Sequence, residues 1–191
     1  MVHVRVITSP RNKAVMSAVT HVKHAEETEH EMHQIAYNAG INVPRVVSWD
    51  SQEGLLTTEM VPGVDVIEYL RPNHLLGDTI TVCTHLVRQL QKLHALGHTH
   101  GDLNPTNVII TPNSEVFLLD FEFTGSGVVD VDEEIMDLIK LLTILLAPFP
   151  MHVFRLVSLC EATGSSRLPF ALRDDVMYDE IITAISHDSR R

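Results

Sequence analysis

His100-Gly101-Asp102-Leu103-Asn104-Pro105-Thr106-Asn107 leads into Val108-Ile109-Ile110, a turn at Thr111-Pro112-Asn113-Ser114, and Val116-Phe117-Leu118-Leu119-Asp120-Phe121-Glu122. An Asp and an Asn five positions apart sit on a loop, and an apolar strand follows. A polar turn then leads to a second apolar run that ends on an Asp. The pattern predicts a β-hairpin carrying three oxygen-bearing side chains at one end. Phosphoryl transfer needs such a set. One carboxylate accepts the proton of the attacking hydroxyl, while a carboxamide and a second carboxylate hold the Mg²⁺ that bridges the phosphates. A hairpin in which Asp and Asn serve only as turn residues explains Asn104-Pro105 and Pro112-Asn113. It does not explain Asp120, a charge that closes an apolar run.

The chain has 191 residues, 45% of them hydrophobic and 20% charged, with a formal net charge of −11. That length supports one domain, or two small lobes, with a sizeable core. The acidic balance excludes a broad basic face, so unassisted nucleic-acid binding is not expected. Cys83 and Cys160 both lie in apolar, helix-like contexts and read as buried thiols in a reducing compartment. The N-terminus has no signal pattern. The apolar run Leu138 to Phe149, interrupted by Lys140 and stopped by Pro148, is too short to span a bilayer. Of the twelve histidines only His94, His98 and His100 cluster, without acidic or cysteine partners at zinc-ligand spacing.

Outward from the hairpin, Val2 to Ile7 alternates as a strand does, and 14–39 reads as mostly helical. Gly40 stops that helix. The charged run Glu26 to Glu31 reads as largely solvated. Val43 to Val47 and Gly54 to Met60 read as strands about a turn, and Pro62-Gly63 breaks the pattern. Val64 to Leu70 reads as a short helix. Thr79 to Leu96 is a long one, with Ile80, Cys83, Leu86, Val87, Leu90 and Leu93 at three-and-four spacing and Gly97 at its end. Gly125-Ser126-Gly127 links the hairpin to helices over 133–146, 151–162 and 174–185. The whole reads as an α+β chain: a small sheet with one helix, a hinge, then a mainly helical half.

H-G-D-L-N-P-T-N followed by D-F-E resembles the protein-kinase catalytic loop and its metal-binding Asp. Glu29 to Val46, E-H-E-M-H-Q-I-A-Y-N-A-G-I-N-V-P-R-V, narrows the resemblance to the small atypical kinase of the KEOPS complex, which serves threonylcarbamoyladenosine modification of tRNA. Thr58-Glu59-Met60-Val61-Pro62-Gly63 matches that family's hinge, and Gly101 its Gly after the His. Asp137-Leu138 matches the pair that follows its short post-metal segment. The resemblance covers roughly residues 5 to 146. It implies a single two-lobed protein-kinase-like domain, with a reduced N-terminal lobe over 1–60, a hinge at 61–63 and a helical C-terminal lobe over 64–191. It also implies an ATP- and Mg²⁺-dependent serine/threonine-type kinase or ATPase with protein partners of a KEOPS-like complex. Contact with tRNA would then be indirect and membrane attachment absent. The location would be cytoplasmic, and nuclear as well in a eukaryote. Residue by residue, Asp102 would be the base, Asn107 and Asp120 the Mg²⁺ ligands, and Glu29 the helix carboxylate that orients the phosphate-binding lysine. Glu59 and Val61 would offer backbone groups to adenine, and Asp137 would brace the loop.

Two departures stand against the family pattern. Counting back from Glu29 puts Arg5 at the lysine position, with Lys13 and Lys23 nearby, and an Arg fork does not replace an ammonium conservatively. No glycine-rich loop precedes Arg5, so the two strands that cover the phosphates are expected to be absent. Glu122, where the family has Gly, gives D-F-E, which is similar to the aminoglycoside and choline phosphotransferases. A small-molecule phosphotransferase and a pseudokinase scaffold are therefore the alternatives.

Overall fold

The computed structural model describes residues 2–8, 14–20, 23–72, 74–121, 124, 131–163 and 175–186. Side chains before Glu29 and at 131–137 are outside that description, as are Lys13, Glu122, the 125–127 link and the basic end Ser189-Arg190-Arg191.

A four-stranded sheet comes first. β1 (Val2–Thr8) and β2 (Ala14–Thr20) form an antiparallel hairpin, with Val2 opposite Thr20 and Thr8 opposite Ala14. Helix α1 (Lys23–Asn38) follows, then β3 (Val46–Asp50) and β4 (Leu55–Glu59). The strand order is β2-β1-β4-β3, with β1 parallel to β4 and β3 antiparallel to it.

This corrects the sequence reading at two places. Residues 14–20 form a strand, not the first turns of a helix. Val15 and Val19 sit one helical turn apart, but with Thr20 they are β-branched, and seven residues in register with β1 prevail over the helical spacing. A hairpin rather than a lone strand therefore leads into α1, with Arg5 on its first strand. The next strand also begins at Val46, not Val43, because 41–45 runs as irregular chain.

A second sheet, ordered β5-β6-β7, is made of β5 (Val64–Asp65), β6 (Val108–Ile110) and β7 (Val116–Leu118). The stretch read as a short helix from Val64 is thus a two-residue strand followed by α2 (Val66–Tyr69), capped by Asp65 Oδ1 accepting from Glu68 N–H at 2.7 Å. Helices α3 (Leu76–Ala95), α4 (Val131–Leu146), α5 (Pro150–Thr163) and α6 (Asp175–Ser186) complete the chain. Cys83, Leu86, Val87, Leu90 and Leu93 of α3 join Leu138, Leu141, Leu142 and Leu145 of α4 in a core that also takes in β6, β7 and the end of α1. Cys83 is a free thiol, and burial pushes its pKa up to about 12, so it stays protonated and inert. Among the described residues no helix is long and apolar enough to cross a membrane.

Both helices flanking the site end in Schellman motifs. At α1, Ile41 N–H reaches Ala36 O and Gly40 N–H reaches Tyr37 O, with Gly40 at φ 71°. At α3, His98 N–H reaches Leu93 O and Gly97 N–H reaches His94 O, with Gly97 at φ 79°. The two ends are tied together. Lys92 Nζ donates to Gly40 O at 2.6 Å, and Asn42 N–H donates to Gln89 Oε1 at 2.8 Å.

Gly63 enters the second sheet under a tighter constraint. A Cβ there would lie 2.5 Å from Ile110 O and 2.6 Å from Ile109 Cγ2. Gly63→Ala should therefore cost about 3 kcal/mol, because the obstructing atom is a backbone oxygen that cannot turn aside. Gly40→Ala, which meets open space but a left-handed φ, should cost about 1 kcal/mol. Urea unfolding of both variants checks the pair, and equal stability of Gly63→Ala and wild type would show that the close approach is wrong.

Candidate active site

The end of α3 sets the site. After the Gly97 turn, Thr99 and His100 run inward, both fully buried. His100 Nε2 donates to Leu119 O at 2.9 Å. Gly101, at φ 79°, then swings the chain outward, so that Asp102 is half-buried while Leu103 returns to the core. Pro105 O accepts from Val66 N–H at 3.0 Å, which moors the loop to the start of α2.

Asn107 closes the loop. Its Nδ2 donates to Asp102 O at 3.0 Å and to Asp102 Oδ2 at 3.3 Å. Both partners are acceptors, so the amide orientation is settled, with Nδ2 toward Asp102 and Oδ1 away from it. Asn107 O accepts from Leu119 N–H at 2.8 Å. Leu119 is thereby held at both backbone groups, by Asn107 on one side and His100 on the other. Asp120 comes next, in the left-handed region at φ 69°. A non-glycine residue there costs on the order of 1 kcal/mol and persists only where its surroundings impose it.

Phe121 shows what imposes it. The ring is fully buried, edge-on to His33 of α1 (centroids 5.9 Å apart) and tilted against His100 (5.0 Å). His33 Nε2 in turn donates to Pro44 O. The Asp120-Phe121 step thus leaves Asp120 half-buried and sends a ring into the core.

The structure brings Asp102, Asn107 and Asp120 to one end of the β6–β7 hairpin, as the sequence spacing predicts. Glu29 is only 7% exposed, unlike its neighbour Glu31, so the acidic run of α1 is not uniformly solvated. Burial at that level is the habit of a carboxylate with a partner. Arg5 lies on β1 opposite Ser17, and β1 runs beside β4, which leads to Glu59. Glu59 pairs with Arg45 at 3.2 Å in solvent, and its N–H bonds to Arg45 O at 2.9 Å. The side chains of Arg5, Lys23 and Asp137 are outside the described residues. Sequence reasoning overlooked two contributors. Asn104 touches Asp102 directly. His33 has no motif of its own, and only its place one turn after Glu29 could have marked it.

The donor set can be tested for a cation. Asn107 Oδ1, turned away from Asp102, and the Asp120 carboxylate are hard oxygens of the kind Mg²⁺ takes, and Mg²⁺ needs few protein ligands because it keeps several waters. The residues fit.

Comparison with known proteins adds one family match and three relatives. The model of the ABC1 atypical kinase-like domain matches residues 11–145, more than two thirds of the chain. The KEOPS complex subunit Bud32 of Pyrococcus abyssi (strain GE5 / Orsay) is 31% identical over 96 residues, which are 50% of this chain and 40% of that protein. The cAMP-dependent protein kinase, catalytic subunit-like, of Caenorhabditis briggsae is 28% identical over 76 residues, 39% of this chain and 20% of that protein. The Caenorhabditis elegans protein of the same description gives 28% over 76 residues, 39% and 19%. The chain thus spans well under half the length of the curated relatives it matches.

His100→Ala should destabilise the fold by about 2–4 kcal/mol, through a cavity beside Phe121 and an unpaired Leu119 carbonyl. Asp102→Ala, at a half-exposed position, should cost no more than about 1 kcal/mol. Chemical denaturation separates the two, and a larger loss in Asp102→Ala would mean that the loop is built around the carboxylate, not around His100.

Proposed function

The chain belongs to the ABC1 atypical kinase-like family, with an α+β kinase-like fold, and we propose that it binds ATP with Mg²⁺ and transfers or hydrolyses the terminal phosphate. The observation that carries the reading is the single hydrogen-bonded unit that holds Asp102, Asn107 and Asp120 at one end of the β6–β7 hairpin. Asp102 takes the proton of the attacking hydroxyl or water. Asn107 Oδ1 and the Asp120 carboxylate hold the cation. When bound, Mg²⁺ supplies charge neutralisation of the phosphate oxygens. Glu29, buried on α1, orients a cationic side chain toward the phosphates, and Arg5 on β1 is the candidate for that cation. Backbone groups at Glu59 and Val61 face the adenine. Preorganised donors and charges of this kind do most of the work in phosphoryl transfer, where little covalent chemistry falls to the protein.

The finer reading is that this kinase or ATPase acts as a subunit of a KEOPS-like complex in tRNA modification, meeting tRNA through its protein partners. The 31% identity with Bud32 and the formal net charge of −11 both favour it.

Thermal melting with ATP, with and without Mg²⁺, tests the nucleotide site. A ligand at one hundred times its dissociation constant adds about 2.7 kcal/mol to stability. The wild type should show a Mg²⁺-dependent rise that Asp120→Ala lacks, and an equal rise in the variant would remove Asp120 from the cation site. Asp102→Ala should keep the rise but lose turnover by about 10²–10⁴-fold. Full turnover in that variant would dismiss Asp102 as the base.

A further inference from the structure

We propose that Asn104 is a positioning residue that orients the Asp102 carboxylate for proton acceptance. The inference rests on the phosphoryl-transfer reading above and adds a residue to it. Asn104 Nδ2 donates to Asp102 Oδ2 at 2.9 Å. Asn104 Oδ1 accepts from Thr106 N–H at 3.0 Å and from Thr106 Oγ1 at 2.6 Å. The Thr106 backbone N–H can only donate, so the carboxamide has one possible orientation, with its NH₂ toward Asp102. The backbone supports the same geometry. Asn104 N–H donates to Asp102 O at 2.9 Å, and Asn107 N–H donates to Asn104 O at 3.0 Å.

Two carboxamides therefore converge on one oxygen of Asp102. Asn104 and Asn107 both reach Oδ2, at 2.9 and 3.3 Å, and among the described residues no donor reaches Oδ1. The carboxylate plane is fixed, and one oxygen is left to take a proton. In the reaction the acceptor O–H bond breaks and its proton passes to Oδ1. The acceptor oxygen bonds to the γ-phosphorus, and the bond from phosphorus to the bridging oxygen breaks as ADP departs. A base held in one rotamer enters this step without an orientation cost, and a misplacement of about 1 Å can lose about 10²-fold.

The two arms of Asn104 can be separated. Asn104→Asp is isosteric and keeps both acceptor bonds to Thr106, but it has no N–H for Asp102. Asn104→Ala loses both arms without adding charge, so a shared defect cannot be charge repulsion alone. The measurement is ADP release from Mg-ATP, with kcat and the KM for ATP determined separately, beside thermal melting of each variant. Both variants should fall about 10–100-fold in kcat, with the KM for ATP within about twofold of wild type and Asn104→Asp melting close to it. Wild-type kcat in Asn104→Asp would overturn the proposal and leave Asn104 a turn residue. A rise in KM with kcat preserved would also overturn it, placing Asn104 in nucleotide binding. A wild type that releases no ADP would overturn the phosphoryl-transfer reading and this inference with it, whereas the other two outcomes leave that reading standing.

Discussion

Leu119 bears the constraint on which the site depends. Its N–H goes to Asn107 O and its carbonyl receives the His100 imidazole. Each bond contributes only about 1 kcal/mol net, but leaving either group unpaired between buried Leu118 and Phe121 costs more than forming the bond gains. The two bonds lock the loop to the strand that precedes Asp120, so the backbone segments carrying Asp102, Asn107 and Asp120 are joined at one end of the hairpin. The left-handed backbone of Asp120 follows from that lock. With Leu119 held and Phe121 claimed by the core between His33 and His100, the residue between them has little choice of conformation.

The His33 contact extends the constraint to the other half of the molecule. Helix α1 carries Glu29 and His33 one turn apart, so the ring against Phe121 and the buried carboxylate are set by the same helix orientation. The far end of α1 is fixed as well, by Lys92 and Gln89 of α3 on the Gly40-to-Asn42 segment. Asn42 O also accepts from Leu118 N–H at 2.9 Å, one residue before the lock. The helix that positions Glu29 is thus referenced to the same strand that positions Asp120.

Much of this was legible in the sequence because it is written in spacing. The interval from Asp102 to Asn107, the hairpin turn and the charge closing an apolar run each carry a local physical meaning. Gly40 and Gly97 marked helix ends correctly for the same reason. What escaped was decided by long-range pairing. Residues 14–20 satisfy a helical period as well as a strand period over so short a run, and only the partner strand β1 chooses between them. Asn104-Pro105 was readable as turn chemistry, and the Thr106 bonds bear that out. Its second bond was hidden, because a turn residue that also serves a neighbouring carboxylate looks the same in sequence as one that does not. Burial of Glu29 within an acidic run was hidden too, since charge pattern alone favours solvent.

The close approach at Gly63 limits how the two halves can move. Glu59 is fastened on one side, through its N–H to Arg45 O, and Gly63 on the other, against the backbone of Ile110. Between these two anchors only Met60, Val61 and Pro62 remain, and the chain leading into β3 is tied to the helical half as well, at Gly40 and Asn42. Proline has its φ locked, and it biases the residue before it toward extended conformations. The connection therefore behaves less like a flexible tether than like a short, stiff pivot.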